Sequence, residues 1–415
     1  MTPAPQAPGS RGTNIPRIGD WNQRVVIDWV RRNPQGTSRV ELAASTGLSP
    51  QTISNLTRRL LERGLIEERG QVGTGPGKPR TLLGLAPGGM HAIGVHLDPL
   101  LITLVVTDLL GRVVARAQRR TPTGSPGRVV RSITEAVHRL ITEAEIDPGT
   151  VTGVGVAAPG PVEVDTGTLV EPPLLDGWRR VPLRDRLAAA LALPVLLEKD
   201  VLAAAVAEDW VRTDGDPRTF VFWYLGTGMG AGLVHRGEVL RGASNNVGEV
   251  GHLMVDPHGA ACDCGEPGVL SQALGPRQLV AAGLAAGVLT PPLPESRRAV
   301  DDAVTELCRR SAEGDPAAAA VLDHAGELLA RAVIQVCDLL DADEVVFGGP
   351  YWDRLQHRLE PVVRKDLHAR AAMRQVHPIR VHSTRLGEDV AAIGAASLVL
   401  EDALSLRPTS LLLTD

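Results

Sequence analysis

The chain has 415 residues, a formal net charge of −5, 43% apolar residues and only 3% aromatic ones. That length exceeds what one core supports, so two or three domains are expected, with Ala, Leu, Val and Gly building their interiors. No apolar run reaches the roughly 18 residues of a membrane-spanning helix, four cysteines in so long a chain do not make a disulfide framework, and the expected compartment is the cytoplasm.

Residues 1–19 are rich in Pro, Gly and Ala and are expected to form a disordered tail, not a signal peptide. Charge is uneven: residues 1–90 hold 12 Lys and Arg against 6 Asp and Glu, and the remainder is acidic. A basic front on an acidic body points to a polyanionic partner for the front.

Residues 20–88 read as a winged helix-turn-helix. "WNQRVVIDWVRR" puts Val25, Val26, Trp29 and Val30 on one helical face, with Asp20 as its expected N-cap and Pro34 just past its end. Val40, Leu42 and Ala43 mark a short second helix, and Thr46-Gly47 a tight turn. Ser49 is placed to cap a third helix that has Pro50 at its first position, where a missing N–H costs little. Ile53, Leu56, Leu60 and Leu61 recur at helical spacing and face inward. Gln51, Thr52, Asn55, Arg58 and Arg59 then face outward as amide, hydroxyl and guanidinium groups that suit base edges and phosphates. Beyond Gly64, two strands around a Gly/Pro loop form the wing, with Lys78 and Arg80 near its tip. The expected partner is a double-stranded DNA operator, contacted by Ser49, Gln51, Thr52, Asn55, Arg58, Arg59, Lys78 and Arg80; a protein-binding winged module is the competing reading.

Residues 89–415 read as two similar α/β halves. Strands "AIGVHL" and "LITLVVTD", joined by the turn 96–100, precede an amphipathic helix, a buried strand "VTGVGVAA", the strand "PVLLEK" and the helix "VLAAAVAEDWV". The second half repeats the plan from "TFVFWYLGTG" to a last helix beginning at Asp389. Ligands in such folds bind at the carboxyl ends of strands, between the halves. Gly155, Gly160 and Pro161 follow a buried strand and would bring backbone close to a ligand. Asp200 stands at a strand end, where an Asp at a helix start is most often an N-cap. Glu249 and His252, three residues apart, could grip neighbouring hydroxyls.

Five motifs in order, "GVGVAAPGPVE" (153–163), "EKDVLAAAVAED" (198–209), "LGTGMGAGLVHRGEVLRGASNNVGEVGH" (225–252), "CDCGEPGV" (262–269) and "VVFGG" (345–349), resemble the ROK family of repressors, open reading frames and sugar kinases. The winged helix in front resembles the family's repressor branch. The resemblance implies the fold class: α/β, an N-terminal winged helix-turn-helix followed by a two-lobed actin-like ATPase (sugar kinase-like) fold. It implies a sugar cleft lined by Gly160, Lys199, Asp200, Gly228, Glu249 and His252, with Asp200 at the family's catalytic base and Lys199 where the family has Asn; a cation there either favours an acidic or phosphorylated sugar or points to solvent. It also implies a structural zinc on His252, Cys262 and Cys264. That set is incomplete, because Val269 occupies the family's third Cys position; His258 and Asp263 are possible completions that the resemblance does not supply, and a metal-free loop stays open beside retained zinc.

The family's first phosphate loop, D-x-G-G-T, is missing. His96 stands for its Asp, Asp98 and Pro99 for its glycines, and Leu100 for its Thr. Pro99 lacks a donor, Asp98 adds negative charge where phosphate would lie, and Leu100 offers no hydroxyl. The expected function is therefore a sugar-responsive DNA-binding regulator, a repressor, whose kinase-like domain senses without catalysis and without ATP. An ATP-dependent sugar kinase with an accessory DNA-binding module is the alternative. A homodimer or homotetramer, with no membrane attachment, is expected.

Overall fold

The computed structural model describes residues 15–73, 79–173, 175, 177–212 and 218–404, with side chains from Trp21 onward. The chain divides into two compact units, one holding residues up to Gly89 together with Glu401 onward, the other Met90–Leu400.

The first unit is built from α1 (Ile15–Arg32), β1 (Thr37–Ser38), α2 (Arg39–Thr46), α3 (Pro50–Glu62), β2 (Ile66–Val72) and β3 (Arg80–Leu85). The helix expected to start after Asp20 starts at Ile15, so Asp20 lies inside it. Val26, Ile27 and Val30 are buried, with Val25 and Trp29 at the edge of the same face. Val40, expected on the apolar face of α2, is 58% exposed; Leu42 carries the packing there. A reciprocal capping box fixes the start of α2: Ser38 accepts from the Glu41 N–H, and Glu41 accepts from the Ser38 N–H at 2.8 Å. Gly47 closes α2 in the left-handed conformation, φ 70°, which a side chain would resist. The sheet order is β1-β3-β2, so the short strand β1, invisible in the sequence, joins the wing hairpin to the helices.

In the second unit two five-stranded sheets share one topology. The first contains β4 (His91–Leu97), β5 (Leu101–Asp108), β6 (Val113–Arg120), β7 (Val151–Ala158) and β10 (Val195–Lys199), in the order β10-β7-β4-β5-β6. Its β4-β5-β6 is an antiparallel meander, while β7 and β10 add in parallel on the other side. A small hairpin, β8 (Val162–Glu163) with β9 (Thr168–Leu169), follows β7. The second sheet contains β11 (Phe220–Leu225), β12 (Met229–His235), β13 (Glu238–Leu240), β14 (Glu344–Gly348) and β15 (Arg380–Ser383), in the order β13-β12-β11-β14-β15. Again the first three strands form the meander and the last two pair in parallel. The repeat read from the sequence is thus a repeat of strand order.

Helices α4 (Pro126–Glu143) and α5 (Leu183–Leu191) share a core with the first sheet. Helices α7 (Leu270–Leu274), α8 (Pro276–Ala285), α9 (Arg297–Ala312), α10 (Pro316–Leu340) and α11 (Trp352–Arg370) share a core with the second. Helix α6 (Asp200–Trp210) packs on β12, and α12 (Val390–Leu404) packs on the first sheet. These two helices are rich in Ala because backbone meets backbone: a Cβ on Gly155 would fall 1.7 Å from the Ala395 carbonyl oxygen, and one on Gly394 would fall 1.8 Å from that of Ala203. The close approach ties the two lobes together and puts the ends of β4, β7, β10 and β11 around one cleft.

Candidate functional site

The winged helix carries its expected outward face. Gln51, Arg58 and Arg59 are exposed and Asn55 is half-buried, one helical turn apart along α3. Ile53, Leu56 and Leu60 are fully or nearly fully buried on the opposite side. Ser49 caps the helix by accepting from the Thr52 N–H at 3.2 Å, and its hydroxyl also pairs with the Thr52 hydroxyl at 2.9 Å. These two residues therefore shape the helix start. Arg80 is exposed at the base of the wing, and Lys78 lies outside the described residues.

The turn between β4 and β5 is shorter than the sequence implied. His96 and Leu97 belong to β4, and only Asp98, Pro99 and Leu100 form the turn. His96 is a buried strand residue, 5% exposed, whose ring stands edge-on to Tyr224 with centroids 6.1 Å apart. Asp98 accepts from the Leu100 N–H at 2.8 Å through one oxygen. Through the other it accepts from the Thr227 hydroxyl at 2.6 Å. Thr227 sits at the tip of the glycine loop between β11 and β12, flanked by Gly226 and the exposed Gly228, and the Gly226 N–H donates to the Gly228 carbonyl. The β4–β5 turn and the glycine loop are thus joined by a carboxylate of the chain itself.

Asp200 opens α6 at the end of β10 and accepts from the Val201 N–H at 2.7 Å. Burial raises its carboxyl above the ordinary value, against the opposing pull of His96, the Val201 N–H and Lys199, and the Asp98 charge raises it further. Tyr224 is pushed well up, by burial first and then by the charges of Asp98 and Asp200. Its hydroxyl is buried with no hydrogen-bond partner among the described residues. His96, Asp98, Asp200 and Tyr224 therefore share one floor, and sequence reading singled out only three of them.

Lys199 neither faces solvent nor stands free. Its side chain is 5% exposed, and its Nζ donates to the carbonyls of Asn246 and Val247, each at 3.3 Å, and to a Glu249 carboxylate oxygen. Solvent orientation, one of the two readings open in the sequence, is corrected here: burial is compensated by a full set of acceptors. Asn246, which sequence reading missed, accepts from the Val162 N–H at 2.8 Å and returns a bond to the Val162 carbonyl at 2.9 Å. It clips the 244–248 loop to the segment after Gly160. A Cβ on Gly160 would lie 3.2 Å from Lys199 Cε and 3.3 Å from Asn246 Oδ1, so this glycine is where the two walls meet. Gly160, Lys199 and Glu249 are brought together, with Asp200 adjoining. His252 groups with Cys262 and Cys264, their donor atoms all within 4.8 Å of one another. Val269, fully buried, pairs as an isolated bridge with Met254 and takes no part in that cluster. The loop is held by backbone bonds, including those from the Val255 and Asp256 N–H groups to the Gly268 carbonyl and from the Cys262 N–H to that of Glu266.

A winged helix joined to a duplicated, actin-like sugar-kinase fold defines a class that holds both regulators and kinases. The chain matches the ROK family over residues 92–402 and belongs to it. Residues 20–75 match the MarR family. A xylose repressor from Caldicellulosiruptor bescii is 23% identical over 89% of this chain and 92% of its own length. A glucokinase from Halalkalibacterium halodurans is 27% identical over 76% of this chain and 96% of its own. A solved ROK family transcriptional regulator, a homolog of the E. coli MLC protein, superposes with a TM-score of 0.75 over 93% of this chain and 98% of its own, at 22% identity. Among the described residues, no helix is long and apolar enough to cross a membrane.

Proposed function

We propose that this protein is a sugar-responsive transcriptional repressor whose kinase-like unit binds sugar without phosphorylating it. The observation that carries the reading is the Asp98 carboxylate bonded to Thr227 at 2.6 Å, filling the corner that a nucleotide's phosphates need. The α3 face of Gln51, Asn55, Arg58 and Arg59 reads the operator, with Ser49 and Thr52 at the helix start and Arg80 and Lys78 on the wing. Asp200, Glu249, His252 and the backbone at Gly160 and Gly228 meet the sugar, and Lys199 holds Glu249 in place. Asp200 then accepts a hydrogen bond from a sugar hydroxyl and moves no proton. A homodimer or homotetramer places two winged helices on a two-fold site. Similarity to a xylose repressor over 89% of this chain supports this reading, while the glucokinase relative keeps the kinase alternative testable. The experiment is a mobility-shift titration on DNA upstream of the protein's own transcription unit, across a salt series, with and without sugars. A specific complex that a sugar alters is expected. No specific complex at moderate salt, or sugar-dependent ADP release that Asp200→Asn abolishes, overturns it.

We also propose that His252, Cys262 and Cys264 hold zinc on three donors with the fourth position left to solvent. The exposure of His252 and Cys264 and the apolar Val269 support an open site, and the backbone-braced loop supports a fold that does not depend on the ion. Metal analysis of purified protein should find zinc that a chelator removes without lowering the melting temperature. Zinc that resists the chelator, or a melt that collapses with it, refutes the open site.

A further inference from the structure

We propose that the cleft selects an uncharged sugar and turns away sugar phosphates and sugar acids, and that Asp98 and Lys199 set this selection. The inference rests on the sugar-sensing reading above and names the ligand class for it.

Lys199 is the cation that the sequence places in the cleft, and it is fully engaged. An ammonium has three N–H donors. Here three acceptors take them: the Asn246 carbonyl, the Val247 carbonyl and the Glu249 carboxylate. The charge is balanced by Glu249 and the side chain is buried. Arg241, on the same wall, is paired with the buried Glu198 at 3.2 Å. A ligand carboxylate would have to displace Glu249 to reach Lys199.

The phosphate corner is occupied in the same way. On a phosphotransferase, the hydroxyl facing the base is the one that carries the phosphoryl group, and that group projects toward the glycine loop. In this chain Asp98 is bonded to Thr227 of that loop. The Leu100 N–H and the Thr227 hydroxyl, which could have met a phosphate oxygen, are both spent on the Asp98 carboxylate. Asp200 is a second carboxylate on the same floor, and the buried Tyr224 hydroxyl feels both. His96 is the remaining group able to carry positive charge there, and it opposes Asp200. A dianion would enter beside two carboxylates in a partly desolvated site, where repulsion is poorly screened. A neutral polyol instead offers O–H donors to Asp200 and to the second Glu249 oxygen, and a hydroxyl oxygen to the ring N–H of His252.

The test uses purified full-length protein, thermal-shift screening and then calorimetry. The panel is matched: pentoses, hexoses and N-acetylhexosamines, each as the neutral sugar, its terminal phosphate and its uronic acid. We expect a neutral sugar to bind at least tenfold more tightly than its phosphate and its acid. Asp98→Asn should narrow the neutral-to-phosphate ratio by about tenfold, and Lys199→Asn should not weaken the acids selectively. A phosphate or acid that binds as tightly as its neutral partner overturns the proposal, as does an unchanged ratio in Asp98→Asn. If that variant does not fold, the wild-type ratio alone decides. Silence from every compound overturns the sugar-sensing reading itself, which is a different result from binding with the wrong charge preference.

Discussion

Removing the Thr227 hydroxyl tests the closed corner most directly. Thr227→Val keeps the side-chain volume and the β-branch while deleting the donor to Asp98. A hydrogen bond to a charged group contributes roughly 1.5–3 kcal/mol. Both residues are half-buried, so water can recover part of that, and about 1–2 kcal/mol remains. For a unit of about 300 residues, with an unfolding entropy of ~2 cal/mol/K per residue, the loss lowers the melting temperature by about 2–3 °C. Asp98→Asn should cost a similar amount, because its amide keeps one acceptor and loses the charge. The double variant should cost less than the two singles together, with a coupling of about 1 kcal/mol. Differential scanning calorimetry of the four proteins, in one buffer and at pH 7, gives the cycle. Strict additivity, or a Thr227→Val variant that melts with the wild type, would refute the argument that this carboxylate and hydroxyl close the corner.

Asp200→Asn should raise stability while removing sugar binding. Burial places the folded-state carboxyl above its unfolded value, so the folded chain holds its proton longer and ionisation costs stability as pH rises through that interval. The variant's advantage in melting temperature should grow as pH rises above the ordinary Asp value and shrink as pH falls toward it; a gap independent of pH contradicts this. Glu344, 2% exposed, works in the opposite sense. Burial pushes its carboxyl up, but hydrogen bonds and charge from His382 and Arg212 overcome that and hold it well below the ordinary value. Its contribution is therefore present above about pH 4.5 and lost as pH falls below it, and Glu344→Gln should cost about 3 kcal/mol at pH 7 because Arg212, Arg218 and Arg380 lose their shared acceptor. Denaturant melts at pH 7 and pH 3 separate the two, and equal losses at both would contradict the assignment. On the DNA side, Asn55→Ala should weaken the specific complex by about 1–3 kcal/mol and leave non-specific binding intact, whereas Arg58→Ala should reduce the salt slope by about one. The same slope in Arg58→Ala and wild type would remove that residue from the phosphate contacts.

What the sequence determined by itself was everything written in local spacing. The apolar face of α3, its Ser49-Pro50 start and the Gly47 turn follow from contacts within one or two helical turns, and the structure keeps them. The five ordered motifs fixed the family and the duplicated plan, and the broken first phosphate loop was visible as a proline and a carboxylate where glycines belong. Local spacing misled only where a boundary was at stake, as with Asp20 inside α1, or where a partner lay elsewhere, as with the exposed Val40. Tertiary structure alone decided what the charged residues do. Asp98 meets Thr227 from 129 positions away, and Lys199 meets its acceptors from 47 to 50 positions away. No periodicity encodes those pairs, because they exist only once the Ala-rich helices let the two sheets approach backbone to backbone. Until that closure, Asp98 is a repulsive charge in a missing loop and Lys199 an unassigned cation; after it, both are satisfied.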